Sequence, residues 1–169
     1  MIVRLEEPGD REASLAVERA AFATADEARI VAAVRDEPGS FALVAEEDDA
    51  VVGHVQLSAA WIGNEAVLAL GPIGVVPARQ GKGIGTAMVA AALAEARERR
   101  AAAMILLGDP AFYGARGFVP AARYGLLNPF TGVQADGFRI EEEDLQIAVL
   151  DEERVKAMRG KVRWHPAFG

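Results

Sequence analysis

The segment LGPIGVVPARQGKGIGTAMVAAALAEAR, Leu70 to Arg97, decides how this chain is read. It begins as an apolar, β-rich run broken by Gly71-Pro72. It then passes through three closely spaced glycines and ends in an alanine-rich stretch at helical spacing. Two nucleotide signatures fail on it. A P-loop requires glycine at 76 and Ser or Thr after Lys82, where Val76 and Gly83 stand. A G-x-G-x-x-G fingerprint requires glycine at 86 or at 88, which are Thr86 and Met88. What remains is Gln80-x-x-Gly83-x-Gly85, preceded by Arg79. Such a loop, opening a helix, can aim the amides of Gly81 to Thr86 at one anion, and Lys82 adds positive charge. By itself the motif fits either a phosphate cradle or a plain turn between strand and helix.

The flanks supply the context. Ile2 to Glu6 alternates apolar and polar residues as a first strand does, and Asp10 can cap a helix from Arg11. On that helix Leu15, Ala16, Arg19, Ala20 and Phe22 carry a mostly apolar stripe at helical spacing. A second helix follows Thr24 or Asp26, with Ile30, Val31 and Val34 inward. FALVAEE and AVVGHVQLSA, joined by the acidic turn EEDDA, read as a hairpin. EAVLALGPIGVV is a further strand, with a bend or bulge expected at Gly71-Pro72. A helix from about Gly83 to Arg100 buries Met88, Val89, Ala92, Leu93 and Ala96. A short strand, Ala102 to Leu107, leads to Asp109-Pro110, a capping carboxylate followed by a proline that loses no amide bond. Further strands are expected at Phe138–Ile140, Leu145–Leu150 and Val162–Trp164. The order β-α-α-β-β-β-α-β-α-β implies an α+β fold with helices on both faces of a sheet, and 169 residues suit one domain, 1–169.

Composition narrows the function. With 25 acidic and 18 basic residues the net charge is −7, which argues against a nucleic-acid partner. The absence of cysteine excludes disulfides, thiolate metal sites and a cysteine nucleophile. No apolar run has the length of a signal peptide or membrane span, so a cytoplasmic protein with no membrane partner is expected. His54 and His165 form no H-E-x-x-H motif, and Ser14, Ser40 and Ser58 sit in no G-x-S-x-G elbow, so no metal site and no serine nucleophile are expected.

The Leu70–Arg97 segment resembles the acetyl-CoA motif of the GNAT N-acetyltransferases: a strand with its bulge, an R/Q-x-x-G-x-G loop, then a helix. LLGDPAFYGARGF, downstream, resembles the second signature of the family, and its Gly-Asp-Pro form, with WHPAFG near the C-terminus, looks like the bacterial YhbS-like branch. The motif resemblance covers about residues 70–118. It implies a GNAT fold, with a mostly antiparallel mixed sheet splayed between its fourth and fifth strands. It also implies acetyl transfer from acetyl-CoA to a primary amine by direct attack in a ternary complex, by a monomer or homodimer. The alternative is a non-catalytic acyl-CoA-binding sensor or interaction module on the same fold.

The resemblance assigns a pyrophosphate cradle to Arg79, Gln80, Gly81, Lys82, Gly83, Ile84, Gly85 and Thr86. It assigns the pantetheine arm and acetyl carbonyl to backbone groups of Ile73 and Val75. Phe112 reads as core or pantetheine packing. Tyr113, five residues before Phe118, occupies the position of a tyrosine that protonates the departing thiolate; the other reading is an aromatic packed under its helix. The family's strand glutamate, four residues before Ile73, is here Ala69. The nearest strand acid, Glu65, lies about 13 Å further back. His54, on the strand VGHVQ, is a candidate proton relay or a structural histidine. The acidic clusters at 46–49 and 141–144 are either solvated surface or a field that steers a cationic amine. Trp61 and Trp164 line an acceptor pocket or belong to the core. The acceptor itself is left open, from polyamine to protein amino group.

Overall fold

The computed structural model describes all residues, 1–169. Eleven strands and five α-helices alternate along the chain: β1 (Ile2–Leu5), α1 (Arg11–Ala21), α2 (Asp26–Val34), β2 (Phe41–Glu47), β3 (Ala50–Ile62), β4 (Glu65–Val75), α3 (Ile84–Glu98), β5 (Ala103–Leu107), α4 (Pro110–Gly114), β6 (Val119–Pro120), β7 (Leu126–Leu127), β8 (Gly132–Val133), β9 (Arg139–Ile140), β10 (Leu145–Val149), α5 (Glu152–Lys156) and β11 (Gly160–Arg163). None of the helices is long and apolar enough to cross a membrane. The residues gather into two compact units. The first is Met1–Ala59, Leu70–Glu95 and His165–Gly169; the second is Ala60–Ala69 and Ala96–Trp164.

In the first unit the strand order is β1-β2-β3-β4. β1 and β2 pair antiparallel from Ile2↔Glu46 to Leu5↔Leu43, and β2 and β3 from Phe41↔Leu57 to Glu47↔Ala50. The β2–β3 hairpin turns on Asp48 and Asp49, both at positive φ (51° and 60°). Two successive left-handed residues match the right-handed twist of the flanking strands, and aspartate tolerates that region better than most side chains. Helices cover both faces. A Cβ placed on Gly53 would lie 3.0 Å from the Met88 side chain of α3, whereas the next residue on the strand, His54, bonds Glu18 of α1. The α3 face named from the sequence holds, with Met88, Val89, Ala92 and Ala96 at 0% exposure and Leu93 also buried.

Helix α1 departs from its expected stripe. Ser14, Val17 and Glu18 face inward, whereas Ala16, Arg19 and Ala20 are exposed and Leu15 and Phe22 are half-buried. The inward face is therefore two parts polar, and it is stabilised by a hydrogen bond rather than by apolar area. Apolar periodicity could not see this, because the partner, His54, lies 36 residues away. On α2, Val31 and Val34 are buried as expected, and Ile30 is only half-buried. Asp10 stands at the N-cap of α1 without bonding the helix. Its carboxylate instead accepts from Arg4 (2.6 and 3.0 Å) and from the Glu7 amide (2.8 Å), closing the turn before the helix.

In the second unit the order is β4-β5-β10-β6, with β11 on the end of β3. β5 and β10 pair antiparallel along their full lengths. β4 and β5 run parallel and pair only at Leu68↔Met104 and Ala69↔Ile105. The ladder ends there, although each strand continues beyond it. β4 is one uninterrupted strand; the irregularity expected at Gly71-Pro72 is a cis peptide with Gly71 at φ 141°. The core of this unit gathers Ile62, Val67, Ile105, Leu126, Leu145, Ile147 and Val155, all at most 2% exposed. The expected late strands correspond to β9, β10 and β11. The two-residue strands β6, β7 and β8, too short for periodicity to register, and helix α5 were not anticipated.

The Arg4 bond holds the Asp10 carboxyl below the usual carboxylate range. Stability from this contact is full above the unfolded-state value and is lost as pH falls through the lower folded-state value. Asp10→Ala is expected to cost about 1 kcal/mol at pH 7. In thermal melts the deficit should narrow as the pH is taken below about 4.

Candidate active site

The glycine loop is built as the sequence suggests. Gly81 and Gly83 lie at φ 72° and 83°, where a side chain is strained, and nothing approaches within 4 Å of the Cβ position of either. Gly81, Lys82, Gly83 and Thr86 are exposed, Gly85 is half-buried, and Ile84 anchors the start of α3 at 2% exposure. The first bond from the loop into α3 runs from the Ala87 amide to the Gly83 carbonyl at 3.0 Å. The amides of Ile84 and Gly85 therefore have no carbonyl one turn back to bind. They point out of the positive end of a fifteen-residue helix. Gln80 Nε2 donates to the Val75 carbonyl (2.9 Å), tying the loop to the end of β4, and Lys82 Nζ donates to the Ala78 carbonyl in the turn that follows (3.2 Å). Arg79 Nε lies 3.0 Å from Glu47 Oε2. Ile73 and Val75 are half-buried on the last turn of the strand before this loop. The loop is open and exposed, with unbonded amides at the start of α3 and the Lys82 ammonium beside them, a combination that favours an anion.

Also in the first unit, His54 is fully buried and bonded. Its Nδ1 lies 2.6 Å from Glu18 Oε1, and its Nε2 lies 3.8 Å from Glu6 Oε1. Glu6 in turn accepts from Arg35 Nη2 at 3.1 Å. Loss of hydration raises the Glu18 carboxyl above its ordinary value, and the His54 bond opposes that rise. Four polar side chains from β3, α1, the end of α2 and the β1–α1 connection thus form one buried network. Sequence inspection isolated only His54. The available signal was a charged residue, Glu18, at i+4 from the small polar Ser14 on one helix face.

Phe112 and Tyr113 belong to the second unit. Asp109 caps α4 as expected, accepting from the Ala111 amide at 2.9 Å. Tyr113 stacks edge-on against Phe112 (4.9 Å between centroids) and Phe118 (5.7 Å), and its ring lies on the bare backbone of Gly108. Arg116 sits over the Phe112 ring at 3.5 Å. Burial pushes the Tyr113 phenol up, partly offset by the Arg116 charge, so it stays protonated at neutral pH. Glu65 is held by Arg154 at 3.1 Å, and Ala69 is fully buried. Trp61 lies under the Arg163 guanidinium (5.9 Å), and Trp164 is tilted against Phe130 (6.0 Å). The acidic clusters are largely engaged in structure. Glu46 binds Arg4, Glu47 binds Arg79, Glu141 binds Arg139, and Asp144 accepts from the Glu141 amide.

The sequence pattern of the Acetyltransferase (GNAT) family matches residues 8–119. A curated relative, the "Uncharacterized N-acetyltransferase YhbS" of Escherichia coli K12, is 28% identical over 172 residues, covering 99% of this chain and 98% of that protein. The crystal structure of Escherichia coli YhbS in complex with CoA is similar at a TM-score of 0.87, with 28% identity, over 99% of this chain and 91% of that one. A GNAT family acetyltransferase from Brucella melitensis, in complex with acetyl-CoA, is similar at a TM-score of 0.73. It is 30% identical, and the match covers 99% of this chain and 97% of that one.

Gly108→Ala would drive a methyl group into the Tyr113 ring. A stability loss of about 1–3 kcal/mol is expected, read as a lowered Tm, with the loss relieved in the double variant Gly108→Ala/Tyr113→Leu.

Proposed function

The chain belongs to the acetyltransferase (GNAT) family, and from that premise we propose that it is a cytoplasmic enzyme that transfers acetyl from acetyl-CoA to a primary amine. The 169 residues act as one such domain. The observation that carries the reading is the Gly81–Thr86 loop, whose left-handed glycines and helix N-terminus suit the pyrophosphate of CoA. The CoA and acetyl-CoA bound to the two similar crystal structures support the same ligand here. Backbone groups of Ile73 and Val75 hold the pantetheine arm and orient the acetyl carbonyl, with Phe112 packed beside the arm. Arg79, Gln80 and Lys82 shape the rim of the cradle.

The amine attacks the thioester directly, without a covalent enzyme intermediate. Tyr113 supplies a proton to the departing sulfur, for which a buried, protonated phenol is suited. His54, bonded to Glu18 and close to Glu6, serves as a proton relay. A non-catalytic acyl-CoA-binding module is the second reading, favoured by one observation: Ala69 occupies the position where family members carry a glutamate.

Millimolar acetyl-CoA is expected to raise Tm, because a ligand of the native state stabilises it by RT ln(1 + [L]/Kd). Gly83→Val, strained at φ 83°, should abolish most of that rise while leaving the unliganded fold intact. Free-thiol release across a panel of amines separates enzyme from binding module. With an active amine, Tyr113→Phe should lower kcat by about 10²-fold with little change in KM for acetyl-CoA. Unchanged turnover in that variant removes Tyr113 from the chemistry.

A further inference from the structure

Glu18 is the one buried carboxylate that the reading above leaves without a role. Its side chain is 0% exposed, and only Oε1 is bonded, to His54. Oε2 has no hydrogen-bond partner. A buried acceptor left without a partner is costly, and such a group calls for a use. The direction in which Oε2 points is informative. A Cβ built on Gly74 would stand 3.0 Å from it and 3.1 Å from the Ala21 Cβ. The free oxygen therefore lies against the backbone of the β4 residue between Ile73 and Val75, so close that even a methyl group at 74 would crowd it. Behind it runs an outward path: His54 Nδ1 at 2.6 Å from Oε1, then Glu6 Oε1 at 3.8 Å from Nε2.

We infer that Glu18 takes up the proton lost by the acceptor amine, at the free Oε2 beside Gly74, in place of the acid that β4 lacks at Ala69. The inference rests on the acetyltransferase reading. In the resting fold Oε2 is closed off by the Gly74 backbone and Ala21, and a water entering between α1 and β4 carries the proton to it. Oε2 first takes one proton from the ammonium form of the amine, which frees its lone pair; once the nitrogen has bonded the acetyl carbon, the second N–H proton leaves to water. As the carbon–sulfur bond breaks, the sulfur takes the Tyr113 proton. The Glu18–His54 pair then returns its proton to solvent by way of Glu6, and Tyr113 regains one from solvent. The charged groups facing the pair are Glu6 beyond β1, Glu27 and Arg35 of the α2 region, and His54 itself. Burial raises the carboxyl above its ordinary value, which makes it a stronger base than a solvated carboxylate.

The test is Glu18→Gln, nearly isosteric. Wild-type thiol release with an active amine is established first, and its absence would defeat the acetyltransferase reading itself. Given that activity, Glu18→Gln is expected to keep the acetyl-CoA-induced rise in Tm but to lose about 10²-fold in kcat at pH 7. The loss should shrink as pH rises toward the pKa of the amine, which then arrives neutral. A second readout needs no turnover. A carboxyl raised in the folded state binds a proton that the unfolded chain has released, so its stability contribution is lost as pH rises from about 4.3 through the folded value. The Tm of Glu18→Gln minus that of wild type should therefore grow over that span. Wild-type kcat, a loss of equal size at every pH, or a flat Tm difference each overturns the inference. If Glu18→Gln does not fold, Glu18→Asp keeps the carboxylate and should keep the wild-type pH profile at reduced kcat. A different profile, or failure of both variants to fold, marks the contact as a structural clamp and overturns it equally.

Discussion

A carboxylate sealed from water has to be bonded or neutralised, and the placement of Glu18 organises the first unit accordingly. Its 2.6 Å contact with His54 fixes the roll of α1, turning Ser14 and Val17 inward and leaving Ala16 and Ala20 outside. The same carboxylate occupies the face of β4 where a side chain at 74 would stand, so glycine there follows from the ion and not from any turn. His54 points to α1 while its neighbour Gly53 faces Met88 of α3, so the strand's alternation separates a polar buried layer from an apolar one. Breaking one partner of such a pair leaves an uncompensated polar group, whereas replacing both by apolar residues need not be costly.

The Gly81–Thr86 loop is specified by different physics. Gly81 and Gly83 occupy backbone conformations that other residues adopt only under strain, and their surroundings are empty. Nothing lies within 4 Å of a Cβ placed on either glycine, so their role is conformational: they turn the chain into the start of α3. Tyr113 illustrates the opposite use of glycine. Gly108 is needed because the ring lies on its backbone, a contact requirement and not a dihedral one. Glycine thus serves three distinct ends here: clearance for an ion at 74, chain reversal at 81 and 83, and support for an aromatic ring at 108.

Legibility in the sequence followed the range of the interactions. The glycine loop, the α3 face, the Asp109 cap and the β2–β3 hairpin all rest on neighbours within a few residues, and each stands where local pattern put it. Family resemblance at residues 70–118 extended that to the fold, because two motifs at compatible spacing constrain the elements between them. The roll of α1 and the role of Asp10 were misread for one reason. Each depends on a polar partner elsewhere in the chain, His54 for Glu18 and Arg4 for Asp10, and periodicity counts polar residues as outward by default. The short strands β6 to β8 escaped because two residues carry no period. The base was illegible from the strand alone; its candidate lies on a helix that the pattern had turned the wrong way.

The pairing of Arg79 with Glu47 bears on how the loop meets an anion. That guanidinium is already matched by a carboxylate at the foot of the β2–β3 hairpin, so the mouth of the loop presents roughly one net positive charge, from Lys82. Attraction must then come mainly from oriented amides, whose dipoles carry no mobile counterions to be released. The proposed cradle therefore depends less on ionic strength than a cluster of basic side chains does. For an acidic protein of net charge −7, which repels anions at long range, recognition here becomes a matter of close fit after encounter and not of steering before it.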